Sequence, residues 1–211
     1  MMMYSAFFRP QAAVMVVLFM IMVGCTTISA PSRFYVLSSL PDSGTEREIA
    51  TEEGCITIGI GPVEIAPYLD RPQIVTRVSA NELHLADFDK WAEPLKDSFS
   101  RVLSENLSAL LCADAIAVFP WRGSTPIDYR VEVAVVRLDG KLGGDAFLVA
   151  QWTIFGEDGR TVLLTRKSSY TEPADPRDYE ALVAAQSRTV ANLTRDIAAA
   201  IKDISKAKRT P

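Results

Sequence analysis

The sequence predicts an α+β fold: an antiparallel or mixed β-sheet with two long amphipathic helices packed on one face, in a single domain behind an N-terminal leader. Three observations carry this expectation. Between Tyr129 and Tyr170 apolar and polar residues alternate with the period of strands that bury one face. Two stretches, Pro94 to Leu111 and Asp175 to Ile204, instead repeat their apolar residues at helical spacing. Ahead of both lies an uncharged apolar run, Ala12 to Val23, shorter than the roughly 20 residues that a membrane-spanning helix needs.

That run reads as the h-region of a signal peptide. Arg9 is the sole charged side chain before Cys25, and Gly24 supplies a small residue ahead of it. Met22-Val23-Gly24-Cys25 is a lipobox-like tetrapeptide, with Met22 where leucine is usual. The expectation is a signal peptide over 1–24, lipidation at Cys25, a tether over 25–32, a folded domain over 33–205 and a basic tail over 206–211. An ordinary secretory signal with an incidental cysteine, or a retained anchor, are the other readings. One acyl chain holds a protein to a bilayer only marginally, so a stable anchor takes two or more. Thr26 stands where an aspartate would signal inner-membrane retention, which favours the outer membrane.

A chain of 211 residues less this leader is long enough for one well-buried core. Its formal net charge is −4, with acidic residues interleaved throughout. No basic stripe of the kind that nucleic-acid binding needs is present. Beyond Cys25 only Cys55 and Cys112 remain. In a compartment that permits disulfides they are candidates for a bridge; the alternative is two separate small core residues.

In chain order, Arg33 to Leu37 has strand composition, and Pro41 to Glu53 is a polar loop. Cys55 to Val63 alternates as a strand. Its Gly59-Ile60-Gly61 lacks the third glycine of a dinucleotide loop and is followed by Pro62, so the glycines mark a bulge or close backbone approach. Gln73 to Val78 and Glu82 to Leu85 flank the turn residues Ser79-Ala80-Asn81 and predict a hairpin. The one histidine, His84, lies on the polar side of that alternation, with no ligand pattern around it.

The first helix starts at Pro94, where no N–H is needed. Leu95, Phe99, Val102, Leu103, Leu107, Leu110 and Leu111 form its buried face; Lys96, Asp97, Arg101, Glu105 and Asn106 fall on the solvated side. Ala115 to Phe119 is a short strand. Tyr129 to Leu138, Ala146 to Phe155 and Thr161 to Tyr170 make an antiparallel meander. The last two are joined through Asp158-Gly159, a hairpin signal, and the first two through a turn region over Asp139 to Asp145. The second helix is announced by Asp175 as cap, Pro176 at its first position and Asp178 in its first turn. Its apolar face is Tyr179, Leu182, Val183, Val190, Leu193, Ile197, Ile201 and Ile204. Lys206, Lys208 and Arg209 form a frayed basic end.

No nucleophile elbow, paired-carboxylate motif, metal-ligand cluster or phosphate loop is legible. The expectation is a protein without catalytic residues, metal or cofactor, with an uncharacterised envelope enzyme as the alternative.

Three blocks, Tyr68-Leu69-Asp70-Arg71-Pro72-Gln73-Ile74-Val75-Thr76-Arg77, Asn81-Glu82-Leu83 and Phe88-Asp89-Lys90-Trp91-Ala92-Glu93-Pro94-Leu95, resemble the signature of the PqiC-like auxiliary lipoproteins of ABC-type intermembrane lipid transport. The likeness runs from Phe34-Tyr35-Val36-Leu37 to the C-terminal helix. It implies an outer-membrane lipoprotein facing the periplasm. Its implied partners are an inner-membrane permease and a membrane-anchored MCE-domain protein, which together move phospholipid or related lipids and support envelope integrity. A lipid-binding module acting on its own is the alternative, and a homo-oligomer around a lipid conduit is compatible with either.

Arg71 and Pro72 precede a strand and Trp91 precedes a helix, so both fall in connecting segments, where recognition residues concentrate. Tyr68, Asp70, Arg71, Pro72 and Trp91 are therefore candidates for a partner-docking surface. The competing reading has Asp70 and Arg71 fixing a turn and Trp91 filling space between helix and sheet.

Overall fold

The computed structural model describes residues 30–41, 55–111, 113–121 and 126–209. The leader, Cys25, Cys112 and most of the expected polar loop lie outside them. Ser32–Pro211 form one compact unit.

The strands divide between two sheets. A five-stranded mixed sheet is built from β2 (Ile56–Ile65), β5 (Ala113–Val118), β6 (Tyr129–Gly140), β7 (Asp145–Phe155) and β8 (Val162–Pro173), in the order β5-β2-β6-β7-β8. A three-stranded sheet of β1 (Arg33–Tyr35), β3 (Gln73–Arg77) and β4 (Leu83–Trp91) has the order β1-β4-β3. The predicted meander is β6-β7-β8, antiparallel throughout. The predicted hairpin is β3-β4. β2 pairs in parallel with both β5 and β6, which makes the larger sheet mixed.

Register explains which face is buried. Tyr129, Val131 and Val133 stand opposite Ile58, Ile60 and Val63 of β2. Val131 and Val133 face Ile154 and Trp152 of β7 on the other side. All are buried, whereas Arg130, Glu132 and Ala134 between them are half-buried on the opposite face. Helices α1 (Leu95–Leu110) and α2 (Tyr179–Arg209) cover the buried face, α1 over β2 and β5, α2 over β6, β7 and β8, and they pack on each other. Phe99, Leu103 and Leu107 of α1 and Leu182, Val190, Leu193, Ile197 and Ile201 of α2 are fully buried. Each such side chain contributes on the order of 1.5–3 kcal/mol by leaving water.

Gly61 has φ of +111° at a register shift in β2 between Ile60 and Val63, the bulge that its glycines predicted. A Cβ there would meet Phe119 at 2.7 Å, so glycine is needed for both conformation and space.

Several expected boundaries move. β6 runs on through Asp139 and Gly140, and the turn shrinks to Lys141–Gly144, because Asp139 is buried among arginines rather than exposed in a loop. α2 begins at Tyr179, not after Asp175: the Asp178 carboxylate accepts from the Ala181 N–H at 2.7 Å and is the true cap. α2 runs on through the basic end to Arg209, with Lys208 Nζ 3.4 Å from Glu157 Oε2. β4 continues to Trp91, which ends a strand instead of lying in a connecting segment.

Asn106 is the plainest correction. Placed on the solvated face by periodicity, it is fully buried and its Oδ1 accepts from the Leu40 N–H at 2.7 Å. Ser98 of α1 and Ser187 of α2 likewise accept from the Leu37 and Ser38 N–H groups, at 3.2 and 3.1 Å. Residues 36–40 are thus held by side chains of both helices, which supply the partners that their backbone lacks outside a strand.

Candidate functional site

A concavity of about 360 Å³ is lined by Asp70, Arg71, Pro72, Trp91, Ala92, Glu93, Pro94 and Leu95. Backbone ties hold its lining segments in place. The Trp91 N–H donates to the Pro72 carbonyl at 2.7 Å, and the Ala92 N–H to the Tyr35 carbonyl at 2.9 Å. The loop before β3 is thereby tied to the end of β4, and the chain runs on from there directly into α1. Trp91 is 6% exposed and belongs to the hydrophobic core. It fills space between helix and sheet and also forms a wall of the concavity.

The charges of the site are unevenly matched. Glu93 is bound by Arg101 at 2.9 Å, and that hydrogen-bonded guanidinium holds its carboxyl below the usual carboxylate range. Arg101 also donates to the Leu37 carbonyl at 3.1 Å, so it anchors the irregular segment rather than simply facing solvent. Asp70 is exposed. Arg71 is half-buried with its Nε sealed from solvent, and among the described residues no side-chain hydrogen bond or ion pair reaches it. α1 opens onto the same space at Pro94, with no side-chain cap on its N-terminus.

Four of the five candidate docking residues thus meet in one place, and Tyr68 does not. Its hydroxyl donates to Asp139 at 3.2 Å, in a cluster where Asp139, fully buried, also accepts from Arg77 Nη2 at 2.7 Å, Arg77 Nε at 3.1 Å and Arg137 Nε at 2.7 Å. Burial first, and Asp139 second, push the Tyr68 hydroxyl up. This cluster joins β3 of the small sheet to β6 of the large one. Tyr68 is a structural strut here.

Sequence reasoning missed Ala92, Glu93, Pro94 and Leu95 as lining residues, although they stand in the third resemblance block. The burial of Asp139 had no local signal at all. His84 is exposed, and among the described residues no group of three His, Cys, Asp or Glu could hold a metal ion. Among the same residues no helix is long and apolar enough to cross a membrane.

The family model described as "ABC-type transport auxiliary lipoprotein component" matches residues 35–198, from the end of β1 to the second half of α2. The chain belongs to that family. The auxiliary-lipoprotein domain therefore includes the whole concavity. Two crystal structures are similar to it. One, of an uncharacterised protein, is 18% identical with a TM-score of 0.66 and covers 82% of this chain and 99% of its own. The other, protein XCC0632 from Xanthomonas campestris, of the DUF330 family model, is 16% identical with a TM-score of 0.65 and covers 83% of this chain and 99% of its own. At these identities the likeness shows the fold alone. None of the curated proteins matches the chain by sequence.

Proposed function

We infer that this auxiliary lipoprotein is a non-catalytic, periplasm-facing component of an ABC/MCE-type system that moves lipid between the inner and outer membranes. Residues 1–24 are its signal peptide. Cys25 carries the acyl chains that hold the domain to the outer membrane, and 25–32 is the tether. The inner-membrane permease and the MCE-domain protein are its partners, and the concavity around Arg71 and Trp91 is its docking surface. One observation supports docking above all: a half-buried arginine whose side chain has no partner among the described residues, beside a concavity that two chain segments, 70–72 and 91–95, converge to build. Cys112 is the partner of Cys55, which is disulfide-bonded; the parallel pairing that starts at Ile56↔Ala113 supports this assignment.

The reading is tested in cells. Fatty-acid labelling should mark the parent chain and not Cys25→Ser; label retained by the variant refutes the anchor. A photo-crosslinking residue at position 92 should capture an MCE-domain protein. Capture of none, from a correctly folded chain at native abundance, refutes docking at this surface.

A further inference from the structure

We propose that the concavity seats a single carboxylate carried on an apolar stem, with Arg71 as its cation. The inference rests on the docking reading and extends it to the chemistry of the docked group: an acidic side chain, or the chain end, of the partner protein.

The neighbouring arginines show why Arg71 stands out. Arg77 and Arg137 are spent on Asp139, and Arg101 on Glu93. Arg130, whose Nε is also unmatched, lies over the Trp121 ring at 4.7 Å and is covered by the Gly159 turn. Arg71 alone among these lines an open concavity with a guanidinium that no side chain among the described residues engages. Nε itself is closed to solvent, so a ligand in the concavity meets the guanidinium at its terminal nitrogens, which have no partner among the described residues.

Three features set the chemistry of that ligand. Guanidinium presents a planar fork of donors that matches the two oxygens of a carboxylate. Pro72, Trp91, Pro94 and Leu95 give apolar walls for a stem. The uncapped N-terminus of α1 adds a positive dipole end at the same opening. Charge balance then separates a carboxylate from a phosphate. Asp70 and Glu93 line the concavity and only Arg71 is an uncommitted cation there, because Arg101 is already paired with Glu93. With Glu93 paired to Arg101, the remaining charges are Asp70 and Arg71, so a monoanion adds one negative charge to the lining and a dianion two; the dianion is opposed more strongly.

The test follows the Arg71 Nε–H resonance of the isotope-labelled full chain in detergent micelles. The probes are N-acetyl-leucine, with its carboxylate at the chain end; N-acetyl-leucyl-glutamate amide, with it on a side chain; neutral N-acetyl-leucinamide; and phenyl phosphate. Both carboxylates should shift the resonance saturably, the neutral amide should not, and the tighter carboxylate names the source. Arg71→Lys keeps the charge without the fork and should weaken carboxylate binding by about ten-fold. The inference is overturned if the neutral amide binds as well, if phenyl phosphate binds about ten-fold tighter than either carboxylate, or if Arg71→Lys binds like the parent. Docking is read apart from this, by crosslinking from position 92. Partner capture that Arg71→Gln leaves unchanged overturns the carboxylate seat while docking stands. Carboxylate binding with no partner captured removes docking and leaves the anion seat in place.

Discussion

Asp139 and Arg71 are opposite uses of charge. Asp139 has no accessible surface and four donors around it, from Tyr68, Arg77 and Arg137. Removing its charge leaves two guanidinium groups short of their counter-ion. Asp139→Asn should therefore cost about 3 kcal/mol in urea denaturation, at the low end for a broken buried pair because both arginines reach solvent. Arg71 has no such obligations within the described residues. Arg71→Ala should change stability by less than about 1 kcal/mol in the same measurement. Sequence periodicity had no means of telling them apart: Asp139 follows an alternating strand into a glycine-rich stretch and reads as a turn. The charges that bury it come from Arg77, in a different sheet, and from Arg137, two residues away. Asn106 was misread for the same reason, since its partner is the backbone of Leu40.

At the scale of elements, the legible parts were those whose periodicity survives folding. β6, β7 and β8 keep a period of two over most of their length, and both helices keep their apolar stripe. β4 does not. A register irregularity opposite Gln73 and Val75 breaks its alternation, and Asp87 and Asp89 give the stretch the composition of a loop. Its continuation to Trp91 was hidden for that reason, and with it the wall of the concavity. The start of α2 carried two competing signals, Asp175-Pro176 and Asp178, and hydrogen bonding selects the second. Asp178→Ala should lower stability by about 1 kcal/mol and Asp175→Ala by much less, compared by thermal or urea unfolding. Gly140 closes β6 where a Cβ would stand 2.6 Å from the Asp145 carbonyl and 2.7 Å from Leu182. Gly140→Ala should cost roughly 1–3 kcal/mol, as overpacking does; calorimetry checks it.

Four tyrosine hydroxyls, of Tyr35, Tyr68, Tyr170 and Tyr179, are pushed up by the fold, and those of Tyr35 and Tyr170 move furthest. Tyr35 donates to Asp89 at 2.8 Å and Tyr170 to Asp196 at 2.6 Å. Burial first, and these carboxylates second, push both hydroxyls up to about 12. A proton held more tightly in the folded chain than at the ordinary tyrosine value of 10.0 makes its contribution complete below that pH, and the contribution fades as the pH rises through about 12. Unfolding midpoints should therefore fall across that window. In the double variant Tyr35→Phe/Tyr170→Phe the fall should be shallower; an unchanged slope would contradict the assignment. The proposed Cys55–Cys112 bridge acts on the unfolded chain instead, closing a loop of about 57 residues and contributing roughly 4 kcal/mol. Intact mass after denaturing alkylation, with and without reductant, should differ by two modified thiols in addition to the lowered unfolding midpoint.

The clamp on residues 36–40 gives the domain a load path. Tension arriving from upstream passes Ser32 into β1, which runs parallel to β4, and then reaches backbone N–H groups gripped by Ser98, Asn106 and Ser187. The grips sit on both helices and the helices are packed on each other, so a pull is divided between them instead of peeling one strand from an edge. Arg101 adds a fourth hold on the Leu37 carbonyl and ties it to Glu93, at the rim of the concavity. A pull on the proposed tether is thereby passed to the rim of the concavity.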